Sequence, residues 1–370
     1  MQRFLSRLFD RLMKSWSWVL LIIFTILIKW VSWYPNWVEA NYTYGAYPVI
    51  TAIQRTLFGW IPFSIGDLFY AFLLMIVLLR SWRFFKLFFR KKLTRTYFVN
   101  AMQQAIFLFL FVYVFFNLLW GLNYNRKGIS DQLGIQVRRY TLADLDTLTN
   151  ALQLKLNELA VAVTEAQRDS FSRKKDLFRE AGAAYGDASK KYPFLQYRIA
   201  SVKPSLFSYA GNYLGFQGYY NPFSGEAQVN TTIPKFLEPF VTTHEIAHQI
   251  GYGKENEANF VAFLACKDFQ SPAFRYSLYF DLYNYAANEM FKTDSILSKA
   301  YYKKLHPRVV EDYAVLSKFY RSYKNPVEPI ISWSYGHFLK ANNQPGGKLT
   351  YNEVVAWLIA YYKKFGINEI

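Results

Sequence analysis

One cysteine, Cys266, stands in 370 residues, so the chain can build neither an intramolecular disulfide nor a cysteine-rich metal site. Acidic residues are scarce at the start. Up to residue 120 only Asp10, Glu39 and Asp67 oppose thirteen Lys/Arg, so most of the +17 net charge sits in the first third. There is no glycine-rich phosphate loop, zinc-knuckle or RNA-recognition pattern, and no internal repeat or low-complexity linker. What the first third does have is long apolar runs with many aromatics. Basic, apolar and aromatic together point to a membrane surface and away from nucleic acid as a partner.

Three runs approach the roughly 20 apolar residues that a bilayer-spanning helix needs. They cover about 16–34, 62–80 and 104–122, broken only by Lys29 and Asp67 near their ends and by Arg80 at the end of the second. Trp16, Trp18, Trp30, Trp33, Trp60, Trp82 and Trp120 cluster at their ends, as interfacial belts do. Bases fall on two sides of this pattern: Arg3, Arg7, Arg11 and Lys14 at the N-terminus, and Arg83, Lys86, Arg90, Lys91, Lys92 and Arg95 between the second and third runs. The connection between the first and second runs has only Arg55. The positive-inside rule therefore puts the N-terminus and the second connection in the cytoplasm, and everything after about residue 123 outside it. The first run is too long for a removable signal peptide and lacks a small-residue cleavage site, so it reads as an uncleaved anchor.

From Leu122 the sequence becomes charged and periodic. Leucines at helical spacing predict a helix over 141–167, with Thr141 and Asp144 as a capping box, and a second helix covers about 169–191. Residues 204–233 are too rich in Gly and Pro for a helix, and "GEAQVNTT" reads as a short strand after a turn. Ser271-Pro272, and Thr350 with Glu353, look like helix starts. The expected fold class is mainly α: a three-helix transmembrane region over 1–122, then an α-rich domain over 123–370 with a small β element.

The chemistry concentrates in "VTTHEIAHQIGYGKENEANF", residues 241–260. Residues four apart share a helix face, so His244 and His248 can offer two imidazole nitrogens to one cation, with Glu245 beside the open coordination position. Two nitrogens and one carboxylate hold a hydrolytic zinc, which brings the pKa of a bound water towards neutrality, and the adjacent glutamate takes its proton. The chain has four histidines in all, which makes a chance HExxH a weak explanation. Gly251 stands where this helix can stop, and a new helix begins at "KENEANF". Glu255 is the first choice for third ligand, with Asn259 one turn on to orient a histidine through its other nitrogen; Glu257 is the competing ligand. A tetrahedral intermediate also needs a stabiliser, for which His337, Tyr335, Tyr219 and Tyr220 are candidates. An extended substrate needs an edge strand beside the helix, for which "GEAQVNTT" is the candidate. His306, followed by Pro307, reads as a helix-boundary residue.

"HEIAHQIGYGKENEANF", preceded by "GYYNPFSGEAQVN", resembles the bacterial membrane-protein family catalogued as domain of unknown function 3810. That resemblance covers most of the chain and implies membrane spans ahead of a zincin-like region. The ExxAN block is also similar to the ExxxD and ExxAN helices of gluzincin-type peptidases, where the first Glu binds the metal; this implies Glu255. The sequence departs from that pattern in having Asn259 where many members have Asp, and in the short link between the two helices. The expected function is thus a zinc-dependent metallopeptidase in a bacterial inner membrane, multi-pass, with a peptide or protein substrate. The alternatives are a zinc amidase acting on cell-wall peptides and a non-catalytic envelope protein that keeps the fold.

Overall fold

Apolar runs close on themselves as helices, because a backbone away from water must satisfy its N–H and C=O groups internally. In this computed structural model, which describes residues 15–169, 171, 173–347 and 353–370, the first run forms α1, Ser15–Val31. The bases at 3, 7, 11 and 14 and the helix start at Thr350 lie outside the described residues. α1 ends before the expected residue 34, and between Val31 and Pro35 the path bends by 103°. It continues through Pro35–Trp37 and a π-helical stretch, Val38–Ala46, into α2, Tyr47–Phe58.

The second and third runs form α3, Ile65–Phe89, and α4, Arg95–Leu119. Both are 25 residues and apolar enough to cross a bilayer; among the described residues a third candidate span arises only if α1 and its bent continuation count as one. The bounds differ from expectation for local reasons. Ser64 caps α3 by accepting from the Asp67 N–H, so the helix begins after Pro62 and Phe63. It runs on past residue 80 because Arg80, Arg83 and Lys86 are good helix formers whose long stems tolerate an apolar setting. Thr94 caps α4 in the same way, which starts it ahead of residue 104.

The rest is mainly helical around one small sheet. The Thr141–Asp144 capping box forms and opens α5, Leu142–Ala162, whose buried leucines pack on a later helix, Pro272–Thr293. The next long helix is α6, Lys174–Lys191. Three short strands follow: β1, Val202–Pro204; β2, Gly218–Asn221; and β3, Glu226–Val229. Their order is β1-β3-β2, with β1 parallel and β2 antiparallel to β3. "GEAQVNTT" therefore does form a strand, but a central one with both edges taken. Both outer strands, β1 and β2, keep one edge unpaired by any strand among the described residues, and β2 is the one that lines the site.

α3 is fastened to this sheet at its first turn. The side chain of Glu226 accepts from the Ser64 hydroxyl and from the N–H groups of Ile65 (3.2 Å) and Gly66 (2.7 Å). Asp67 accepts from the Leu206 N–H at 2.7 Å and from the Ser205 and Tyr219 hydroxyls. Both acids are fully buried. Helix N-terminal N–H groups have no partners inside the helix, so an acidic side chain here satisfies them and complements the helix dipole. Replacing Glu226 by Leu strands several buried donors at about 1–3 kcal/mol each. We expect Glu226→Leu to destabilise the chain by about 3 kcal/mol or more, read as a lowered midpoint of unfolding in detergent.

Candidate metal centre

The HExxH segment lies on α7, Glu238–Gln249, which carries Pro239 in its first turn and is buried along its whole length. A buried helix end needs partners for its last carbonyls, and here residues from the first third supply them. The Trp120 indole donates to the His248 carbonyl at 2.9 Å, and the Tyr47 hydroxyl and Arg55 guanidinium both donate to that of Gln249. Arg126 donates to the Gly251 carbonyl at 3.2 Å. The Gln249 side chain donates to Ser201 and Gly225 and accepts from Tyr197. Helix and sheet are thereby locked together. Gly251 at φ +95° takes the left-handed turn that ends α7. Gly253 instead makes room, since a Cβ there would come within 3.0 Å of the Tyr124 ring.

After this turn α8, Glu255–Cys266, packs against α7. The Glu255 side chain reaches both histidines: its Oε2 is 3.1 Å from His244 Nε2 and 3.5 Å from His248 Nε2, and the two Nε2 atoms are 3.1 Å apart. Ligand atoms of the three residues all lie within 4.8 Å of one another. The other ring nitrogens are committed. His244 Nδ1 lies 2.7 Å from Asn259 Oδ1, and His248 Nδ1 lies 2.7 Å from the Tyr252 carbonyl. Both oxygens can only accept, so each Nδ1 carries a proton, and Nε2 of the neutral ring is the nitrogen whose lone pair faces the cluster. Two nitrogen lone pairs and a carboxylate oxygen thus converge on one point, an arrangement that repels itself unless a positive charge sits there.

Without a metal, a proton on His248 meets part of that demand, and a cation binding there displaces it. Burial disfavours a charge on His248, yet the neighbouring Glu255 outweighs burial and lifts its pKa to about 9. Burial likewise disfavours a charged Glu255, but His248 and His244 hold its carboxyl well below the usual range. Glu245, beside the cluster, is pushed up to about 7 by burial. Its Oε2 is buried and has no hydrogen-bond partner among the described residues. It borders β2 so closely that a Cβ on Gly218 would stand 2.5 Å from its Oε1.

The remaining expected residues fall into two groups. Asn259 and Tyr335 join the site: Asn259 holds His244, and the Tyr335 hydroxyl donates to Glu255 Oε1 at 2.7 Å. Tyr335 stands on a later helix, Glu328–Ala341, which completes one side of the site. Glu257, His337 and His306 do not join it. Glu257 packs against Gly128 and has Lys254 Nζ at 3.5 Å. His337 is exposed, with Nδ1 bonded to the Trp333 carbonyl, and His306 caps the helix that begins at Pro307. Tyr219 and Tyr220 line the site, but their hydroxyls face Asp67 and Tyr47.

Around the cluster lies a cavity of about 570 Å³ whose lining includes Tyr70, Phe116, Trp120, Phe216, Tyr285 and Phe338. Sequence reasoning passed over most of these. Trp120 was legible only as a belt residue, and the one usable signal was Arg55, the lone base of its connection. A buried site with imidazole and carboxylate donors suits zinc, and the donor set leaves a position open.

The chain matches the family described as "Protein of unknown function (DUF3810)" over residues 42–359, and it belongs to that family. No curated protein and no solved structure matches it.

Proposed function

We propose that the chain is a membrane-anchored zinc metallopeptidase with a zincin-like, gluzincin-type site. The observation that carries this reading is the convergence of His244 Nε2, His248 Nε2 and Glu255 Oε2 beside Glu245, whose buried Oε2 has no hydrogen-bond partner among the described residues. Zinc held there supplies Lewis acidity, polarising the scissile carbonyl and acidifying a water. Glu245 takes the proton of the attacking water and passes it to the leaving amine. Its raised pKa suits a group that must both accept and return a proton near neutrality. Asn259 and the Tyr252 carbonyl fix the imidazole tautomers, and Tyr335 fixes the orientation of Glu255. The unpaired edge of β2 offers main-chain hydrogen bonds to an extended peptide.

The proposed setting is a bacterial inner membrane, with the bases at 83–95 cytoplasmic and the site on the other side. In support, the site lies at the Ile65 end of α3 and the Leu119 end of α4, opposite the turn that carries those bases. The anchor over 1–122 and the domain over 123–370 share the site, since Trp120, Tyr47 and Arg55 hold the end of α7. A non-catalytic protein would have no use for Glu245 in this position.

The test is zinc content and peptide-library cleavage by the purified full chain. Bound zinc with hydrolysis supports the reading. Zinc without hydrolysis, or absence of zinc, would overturn the peptidase reading and leave the non-catalytic alternative.

A further inference from the structure

The cavity around the metal centre is not walled by the soluble part alone. Tyr70 stands in the second turn of α3 and Phe116 in the last turn of α4, on the two helices long and apolar enough to cross a bilayer. On α3 no charge occurs between Asp67 and Arg80, and Leu68, Phe69, Phe72, Leu74, Val77 and Leu78 are exposed. A lipid-facing surface thus begins at Leu68, which puts Tyr70 at the edge of the hydrocarbon. On α4 the apolar run that begins at Ala105 is interrupted at Asn117, one residue past Phe116. Phe116 meets Phe338 of the helix Glu328–Ala341 at 6.2 Å, and three residues before Phe338 Tyr335 bonds Glu255. One cavity therefore reaches from the bilayer edge to the metal ligands.

β2 gives that path a direction. At one end, Gly218 lies against Glu245; at the other, Asn221 lies against Gly66 in the first turn of α3. Tyr219 between them bonds Asp67 and stacks near Tyr70 at 6.4 Å, and Phe223 meets Phe69 at 5.4 Å. Three residue steps of strand span about 10 Å. A peptide paired on the unpaired edge of β2 would run from the catalytic glutamate to the start of a membrane helix within that distance.

We propose that the site takes the juxtamembrane stretch of a membrane-anchored polypeptide, laid along β2 from the bilayer edge to Glu245. This rests on the metallopeptidase reading. It fixes the reach of the substrate: the bond to be cut lies about four to six residues from where the substrate leaves the hydrocarbon.

The test uses the zinc-loaded full chain in vesicles of phosphatidylethanolamine and phosphatidylglycerol. The probes are peptides with a randomised core and a palmitoyl anchor, joined by Gly/Ser spacers stepped from roughly two to twenty residues. Anchoring alone raises local concentration for any membrane-bound enzyme, so spacer length is the variable that discriminates. A site at the bilayer edge is reached by short spacers, and cleavage should peak there and fall about fivefold at the longest. Cleavage confined to long spacers, or equal cleavage of unanchored peptide, would overturn the inference. The same ladder with a photoreactive core, crosslinked to the Glu245→Gln chain, reads binding without turnover. Short-spacer crosslinking with no wild-type cleavage would keep the substrate class and remove the peptidase reading. Neither crosslinking nor cleavage would remove both.

Discussion

Glu245→Gln is expected to lower peptide hydrolysis by about a thousandfold while zinc stays bound in full. The substitution keeps the shape of the side chain, so the tight fit beside Gly218 survives. What it removes is the ability to accept a proton. General-base catalysis typically contributes between about a hundredfold and ten-thousandfold, and a thousandfold corresponds to about 4 kcal/mol in the barrier. Glu245 is outside the cluster of His244, His248 and Glu255, so the metal is not expected to notice. Zinc stoichiometry and kcat/KM on one preparation read both halves of the prediction. Retained zinc with undiminished hydrolysis would remove Glu245 from the mechanism. Loss of zinc would make it a ligand instead.

The second large effect separates the two glutamates of α8. Glu255→Ala deletes a ligand and leaves the Tyr335 hydroxyl and two imidazole nitrogens facing empty space. Losing a group that merely orients a ligand costs about 10–100-fold in metal affinity, so loss of the ligand itself should cost at least about 100-fold. Glu257→Ala should leave zinc affinity unchanged and act on stability alone, because Glu257 is buried against Gly128 on another side of the helix. Competition with a zinc chelator measures both variants. Zinc loss in Glu257→Ala with retention in Glu255→Ala would reverse the assignment.

Why the sequence left this choice open is a matter of helix phase. Residues two apart on a helix point about 200° apart, so only one of the pair can face the histidines. Which one depends on how the chain re-enters a helix after Gly251, and that is set by the left-handed turn and by the packing of α8 on α7. The spacing of His244 and His248 was legible because it is local. So was the Thr141–Asp144 capping box. Non-local features were not. Period and composition mark "GEAQVNTT" as a strand but say nothing about its neighbours, so its central place in the order β1-β3-β2 was out of reach. Tyr335 meets Glu255 across eighty residues, and nothing but the fold distinguishes it from the other tyrosines of the chain. In sequence Trp120 looks like a membrane-boundary residue and Arg55 is only the lone base of its connection; both prove to hold the carbonyls at the end of α7. α3 outran its apolar run because basic residues extend the helix, and both α3 and α4 start where a Ser or Thr caps them.

The central claim is that His244, His248 and Glu255 hold a zinc ion with one position left for water. X-ray absorption at the zinc edge of the loaded full chain tests it most directly. The account predicts two imidazole nitrogens at about 2.0–2.1 Å, with carboxylate and water oxygens completing four-coordination and no sulfur. A spectrum with sulfur, with more than two imidazoles, or with no zinc retained after dialysis would contradict it.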